Sequence, residues 1–67
     1  MRTSVIVDDK KYAVEIHWDM RDHIWYARAI GLPGCRTYDD TYPKAIYMIR
    51  DAIEEYMAAK ESANGCS

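Results

Sequence analysis

The chain contains no phenylalanine, three glycines, two prolines, two cysteines and two histidines. It also has no apolar run approaching the roughly 20 residues that cross a bilayer. Each scarcity excludes something. Without such a run, and without a charged-apolar-small leader at its start, the chain reads as a cytoplasmic protein with reduced thiols and no membrane partner. None of the three glycines stands in a phosphate-cradling arrangement, so no nucleotide loop is expected. The cysteines and histidines show neither C-x-x-C nor H-x-x-x-H spacing, which leaves a structural zinc centre unsupported. No metal and no cofactor are expected. Basic residues are scattered rather than clustered, and the formal net charge is −2. Nucleic-acid binders usually concentrate Lys and Arg opposite phosphate, so the composition argues against DNA or RNA as a direct ligand.

What is present is a short chain rich in amphipathic aromatics. Its 67 residues make one domain at most, with a core that rarely supplies more than about 3–5 kcal/mol unaided. A single domain is expected over residues 1–60. A flexible C-terminal tail of small and polar residues follows over 61–67, with Cys66 inside it. That position makes a disulfide a poor staple and leaves oligomerisation as the expected one. Six tyrosines and two tryptophans suit either sheet surfaces or partner contacts, and composition does not separate these.

The first half has a period of two. Thr3–Val7 is β-branched and ends in the polar Asp8-Asp9-Lys10-Lys11. Tyr12, Val14, Ile16 and Trp18 then alternate with Ala13, Glu15 and His17, as in a half-buried strand. A charged connection, Asp19–His23, leads to a third strand over Ile24–Ile30. Trp25, Ala27 and Ala29 lie on one face of it, and Ile24, Tyr26, Arg28 and Ile30 on the other. Short connections between these strands predict an antiparallel meander. Leu32-Pro33-Gly34-Cys35 follows as a turn: Pro33 suits its second position and Gly34 the positive φ of a type II third position. Cys35–Tyr38 is a candidate fourth strand.

The second half has a helical period. Either Asp40 or Thr41 supplies a cap, and Pro43 falls in the first turn, where its missing N–H costs little. Ala45, Ile46, Ile49, Ala52, Ile53 and Tyr56 form one stripe, with Tyr47, Met48 and Met57 beside it. Helical character is expected to fade near Lys60, with Asn64-Gly65 as the latest end. The fold class is therefore α+β: an antiparallel sheet of three to four strands with one long helix packed on one face, in the order β-β-β-(β)-α. Both sheet faces carry apolar residues, so the face that takes the helix is left open. Ile24, Tyr26, Arg28 and Ile30 on the other face, with Tyr47 and Met48 on the helix, are the candidate protein-interface residues.

No constellation points to catalysis. His17 beside Asp19 and His23 beside Asp22 are ordinary in charged turns. Cys35 as a nucleophile assisted by either histidine is outweighed by Cys35 as a compact buried thiol. Glu54 and Glu55 are adjacent on the helix and point apart. The chain is read as a non-enzyme.

The joint spacing of Trp25, Ala27, Leu32, Pro33, Gly34, Cys35, Thr37, Thr41 and Ala45 resembles the HicB-like antitoxin family. That family runs from an aromatic-x-Ala strand through Leu-Pro-Gly-Cys and an Asp-Thr helix start to an amphipathic helix. The likeness covers roughly residues 12–58. Ile30-Gly31, Asp39-Asp40 and Lys44 depart from the family's usual residues, and Lys44 removes a capping-box glutamate. The resemblance implies a partial ribonuclease-H-like domain without nuclease residues. It implies neutralisation of a small HicA-type ribonuclease toxin by occlusion, and assembly as a homo-oligomer, a dimer or tetramer. Many members carry a further DNA-binding segment; this chain stops at its helix, so operator binding is not expected. The alternative is a stand-alone homo-oligomeric domain with a different toxin partner or none.

Overall fold

The computed structural model describes the backbone of residues 1–65 and the side chains of residues 1–60. Strands β1 (Arg2–Val7), β2 (Lys10–Asp19), β3 (Ile24–Ala29) and β4 (Arg36–Asp39) precede one helix, α1 (Tyr42–Gly65). The strands form a single antiparallel sheet in chain order. This is the expected α+β arrangement, with the short fourth strand present.

Each connection is set by local chemistry. Val7 and Lys10 are register partners, so Asp8 and Asp9 alone make the first turn. Both have positive φ, 51° and 65°, as a type I′ hairpin turn requires. Glycine takes this geometry more easily than aspartate, so Asp9→Gly is expected to stabilise the protein by about 0.5–1 kcal/mol. An unmoved or lowered urea midpoint would show that the turn is unstrained. Between β2 and β3, Asp19 Oδ1 accepts the N–H groups of Arg21 at 2.8 Å and Asp22 at 3.1 Å. His23 completes that loop at φ 55°.

The connection from β3 to β4 is two turns end to end. Leu32 N–H donates to the Ala29 carbonyl at 3.4 Å, with Gly31 third at φ 87°. Cys35 N–H donates to the Leu32 carbonyl at 3.0 Å, with Pro33 second and Gly34 third at φ 80°. Both have the type II signature. Ala29 N–H then closes the base by donating to the Cys35 carbonyl at 3.0 Å. The Pro33-Gly34 turn was expected; the Gly31 turn before it was not.

Of the two candidate caps, Thr41 serves. Its Oγ1 accepts Lys44 N–H at 3.4 Å, and its carbonyl accepts Ala45 N–H at 3.0 Å. α1 runs to Gly65 rather than fading near Lys60. Ala58, Ala59, Lys60, Glu61 and Ala63 are good or neutral helix residues, and nothing among them breaks the backbone ladder. The expected tail position of Cys66 lies outside the described residues.

The helix covers the face bearing Val5, Val7, Val14, Ile16, Ala27 and Ala29, all buried. That face takes the helix because its central positions carry no charge, whereas the other has Arg2, Glu15, Arg28 and Arg36 at its middle. Ala45, Ile49 and Ile53 of α1 are fully buried against it, and Ile46, Ala52, Tyr56 and Met57 pack at the margin. The helix contacts β4, β3 and β1. At the β1 end, Arg50 Nε donates to the Ile6 carbonyl at 3.2 Å.

Candidate functional site

The uncovered sheet face is ordered by strand register into cross-strand rows. Arg2 pairs with Glu15, Glu15 with Arg28, and Arg28 with Arg36, so one row crosses all four strands. The Glu15 carboxylate lies 3.9 Å from Arg2 Nε and 3.6 Å from an Arg28 terminal nitrogen. Arg36 has no ion-pair partner among the described residues. The neighbouring row is His17, Tyr26 and Tyr38. The two tyrosine rings lie 6.0 Å apart at 50°. On the far side of the arginine row, an open hollow of about 470 Å³ lies between the Arg28–Arg36 pair and the double turn.

The six candidate interface residues divide between two surfaces. Ile24, Tyr26 and Arg28 project from β3 on the uncovered face. Ile30 continues their alternation opposite Ala13, to whose carbonyl its N–H donates at 3.0 Å. Tyr47 and Met48 are exposed on the outward side of α1, on the opposite side of the molecule. They do not form one patch with the β3 residues. The surfaces also differ in charge. Arg2, Lys11, Arg28 and Arg36 face Glu15 and Asp19 on the open sheet face, two more positive charges than negative. Since the chain totals −2, the remainder sums to −4.

The motif residues have structural positions. Trp25 packs against Trp18 with ring centroids 5.1 Å apart at a 50° tilt and meets Tyr42 edge-on at 5.2 Å, forming an aromatic corner beside the start of α1. Leu32 packs on the core, Pro33 and Gly34 make the turn, Cys35 and Ala45 are buried, and Thr41 caps α1. The Thr37 hydroxyl is buried on the helix-facing side of β4.

Chemically reactive groups are kept apart. Cys35 lies in the core, and burial pushes its thiol above the ordinary 9.0, which favours the unreactive neutral form. His17 projects from the opposite face of the sheet, and His23 sits in the β2–β3 loop, its ring 6.0 Å from that of Trp18. Among the described residues, no group of three or more His, Cys, Asp or Glu could hold a metal ion. Nor is any helix long and apolar enough to cross a membrane.

Sequence reasoning missed Arg2, His17, Arg36 and Tyr38 as members of a shared surface. Their signal was the alternation itself, which places them on the face of Tyr26 once the strands are registered. Compared with known families, curated proteins and solved structures, the chain matches none.

Proposed function

We propose that the chain is a non-enzymatic protein-binding module of the HicB-like antitoxin type, which neutralises a small HicA-type ribonuclease by covering it. The observation that carries this reading is the outward side of α1. Tyr47 is 68% exposed and Met48 43%, and neither contributes to the core. Tyr47 lines a shallow groove with Arg50, Asp51 and Glu54. An amphipathic aromatic and a thioether beside carboxylates suit a partner that is itself basic. A ribonuclease that grips RNA is such a partner, and the four net negative charges outside the open sheet face would speed their encounter.

The joint spacing from Trp25 to Ala45 supports the family reading, and the partial ribonuclease-H-like label belongs to the same proposal. Occlusion needs no chemistry from this chain, in keeping with a buried Cys35 and separated histidines. Self-association is the second reading, favoured by the apolar share of the open face, Ile24, Tyr26 and Ile30.

A small basic reading frame beside this gene, co-expressed with the chain, tests the first reading. The pair is expected to co-purify, and Tyr47→Ala combined with Met48→Asp should weaken it tenfold or more while the fold persists. Full binding by the double variant would remove α1 from the interface. A stable tetramer that captures no such partner would favour self-association.

A further inference from the structure

The open sheet face differs in chemistry from the helix side and calls for a different occupant. Composition argued against nucleic acid because no basic run appears in the linear sequence. Register brings three arginines into one row around Glu15, from residues as far apart as Arg2 and Arg36. We infer that this face binds single-stranded RNA, with bases on Tyr26 and Tyr38 and phosphates on Arg28, Arg36 and Arg2. The inference goes beyond the antitoxin reading and uses the opposite side of the molecule.

Three features carry it. The first is the pair of tyrosines on adjacent strands of a four-stranded sheet, with Tyr38 65% exposed and Tyr26 39%. Surface aromatics on such a sheet stack unpaired bases. The second is charge. Arg28 and Arg36 lie two residues along from Tyr26 and Tyr38, roughly 7 Å away, within the reach of one nucleotide. Glu15 lies between Arg2 and Arg28 and holds both guanidiniums on this face, while Arg36 has no ion-pair partner among the described residues. The third is the hollow between the Arg28–Arg36 pair and the double turn, which gives the chain leaving the rings a concave path.

Competing occupants fit less well. A second copy placed face to face would bring two arginine rows together, with one glutamate each to offset them. A duplex hides its bases and leaves the tyrosines without a role. RNA is favoured over DNA because His17 and the tyrosine hydroxyls stand beside the stacking surface. They supply donors and acceptors for the 2′-hydroxyl.

Fluorescence anisotropy with the full chain and a labelled single-stranded RNA of about 12 nucleotides tests this. The RNA is expected to bind, more tightly than DNA of the same sequence and than the RNA duplex. Neutralising three phosphates predicts a loss of roughly 20-fold in affinity between 50 and 200 mM salt. Tyr38→Ala should cost at least fivefold. Arg36→Ala should weaken binding and flatten the salt dependence. Both side chains are exposed, so circular dichroism and melting should match the parent. Tyr47→Ala, on the other side, should bind RNA unchanged.

The inference is overturned by no binding at 50 mM salt, by unaltered binding in both Tyr38→Ala and Arg36→Ala, or by a duplex bound as tightly as the single strand. Equal affinity for DNA would overturn the choice of RNA. If heparin binds and Tyr38→Ala leaves that binding intact while RNA fails, the arginines form a general anion surface and the inference is overturned. A dimer that dissociates in Tyr38→Ala without RNA binding in the parent assigns it to a second copy.

Discussion

Ile49→Ala is expected to leave a large share of the molecules unfolded at 25 °C. Ile49 is fully buried on the inward side of α1, against the face formed by Val5, Val7, Val14, Ile16, Ala27 and Ala29. Truncating such a side chain removes its transfer free energy and leaves a cavity, together about 2–5 kcal/mol. A core of this size supplies about 3–5 kcal/mol in total. The loss is thus comparable with the whole stability, and either Trp18 or Trp25 fluorescence in urea should report it. The adjacent Met48→Ala, at an exposed position, should stay within about 0.5 kcal/mol of the parent. A cooperative transition shifted by less than about 1 kcal/mol in Ile49→Ala would mean that the helix is not held where its buried stripe places it.

Ala27→Leu should destabilise the same layer by the opposite change in volume. Ala27 is 1% exposed, Ala29 3% and Ala45 0%, so small side chains sit on both sides of the sheet–helix interface. There they let α1 approach β3 closely. Protein interiors are packed like organic crystals, and added carbons must displace their neighbours. The expected cost is about 1–3 kcal/mol. For a domain of this size each kcal/mol lowers the melting temperature by about 4–8 °C. An unchanged or raised melting temperature would show unfilled space between β3 and α1. Together the two variants distinguish a close-packed layer, harmed by loss and gain alike, from a loosely collapsed one.

Much of the fold was legible because its signals are local. The alternation from Tyr12 to Trp18 needs no tertiary information, since successive residues in a strand must face opposite ways. Pro33-Gly34 names its turn through φ preferences, and side-chain chemistry narrows the cap to Asp40 or Thr41, of which the bond from Lys44 N–H picks Thr41. Position arithmetic also separates the helix residues. Met57 lies four residues beyond Ile53 and therefore on the buried stripe, whereas Tyr47 lies two before Ile49, about 200° around the helix. The face covered by the helix was not legible from apolar counts, because Ile24, Tyr26 and Ile30 balance their counterparts. It follows from where the arginines meet across strands. The same is true of the candidate site: Arg2, Arg28 and Arg36 are solitary charges in the sequence and one row in the sheet. Net charge averages over such a row and hides it.

The contact from Arg50 to the Ile6 carbonyl has a consequence for how copies of this chain meet at high concentration. Val5-Ile6-Val7 is an uncharged β-branched segment on an outer strand, the kind that seeds cross-β stacking when its main chain is free to template another. The guanidinium occupies one carbonyl that an incoming segment would need. Arg2 and the Asp8-Asp9 pair flank the segment with charge of both signs, as gatekeepers do. With α1 docked, a side chain forty-four residues away thus occupies part of the edge that another strand would pair with.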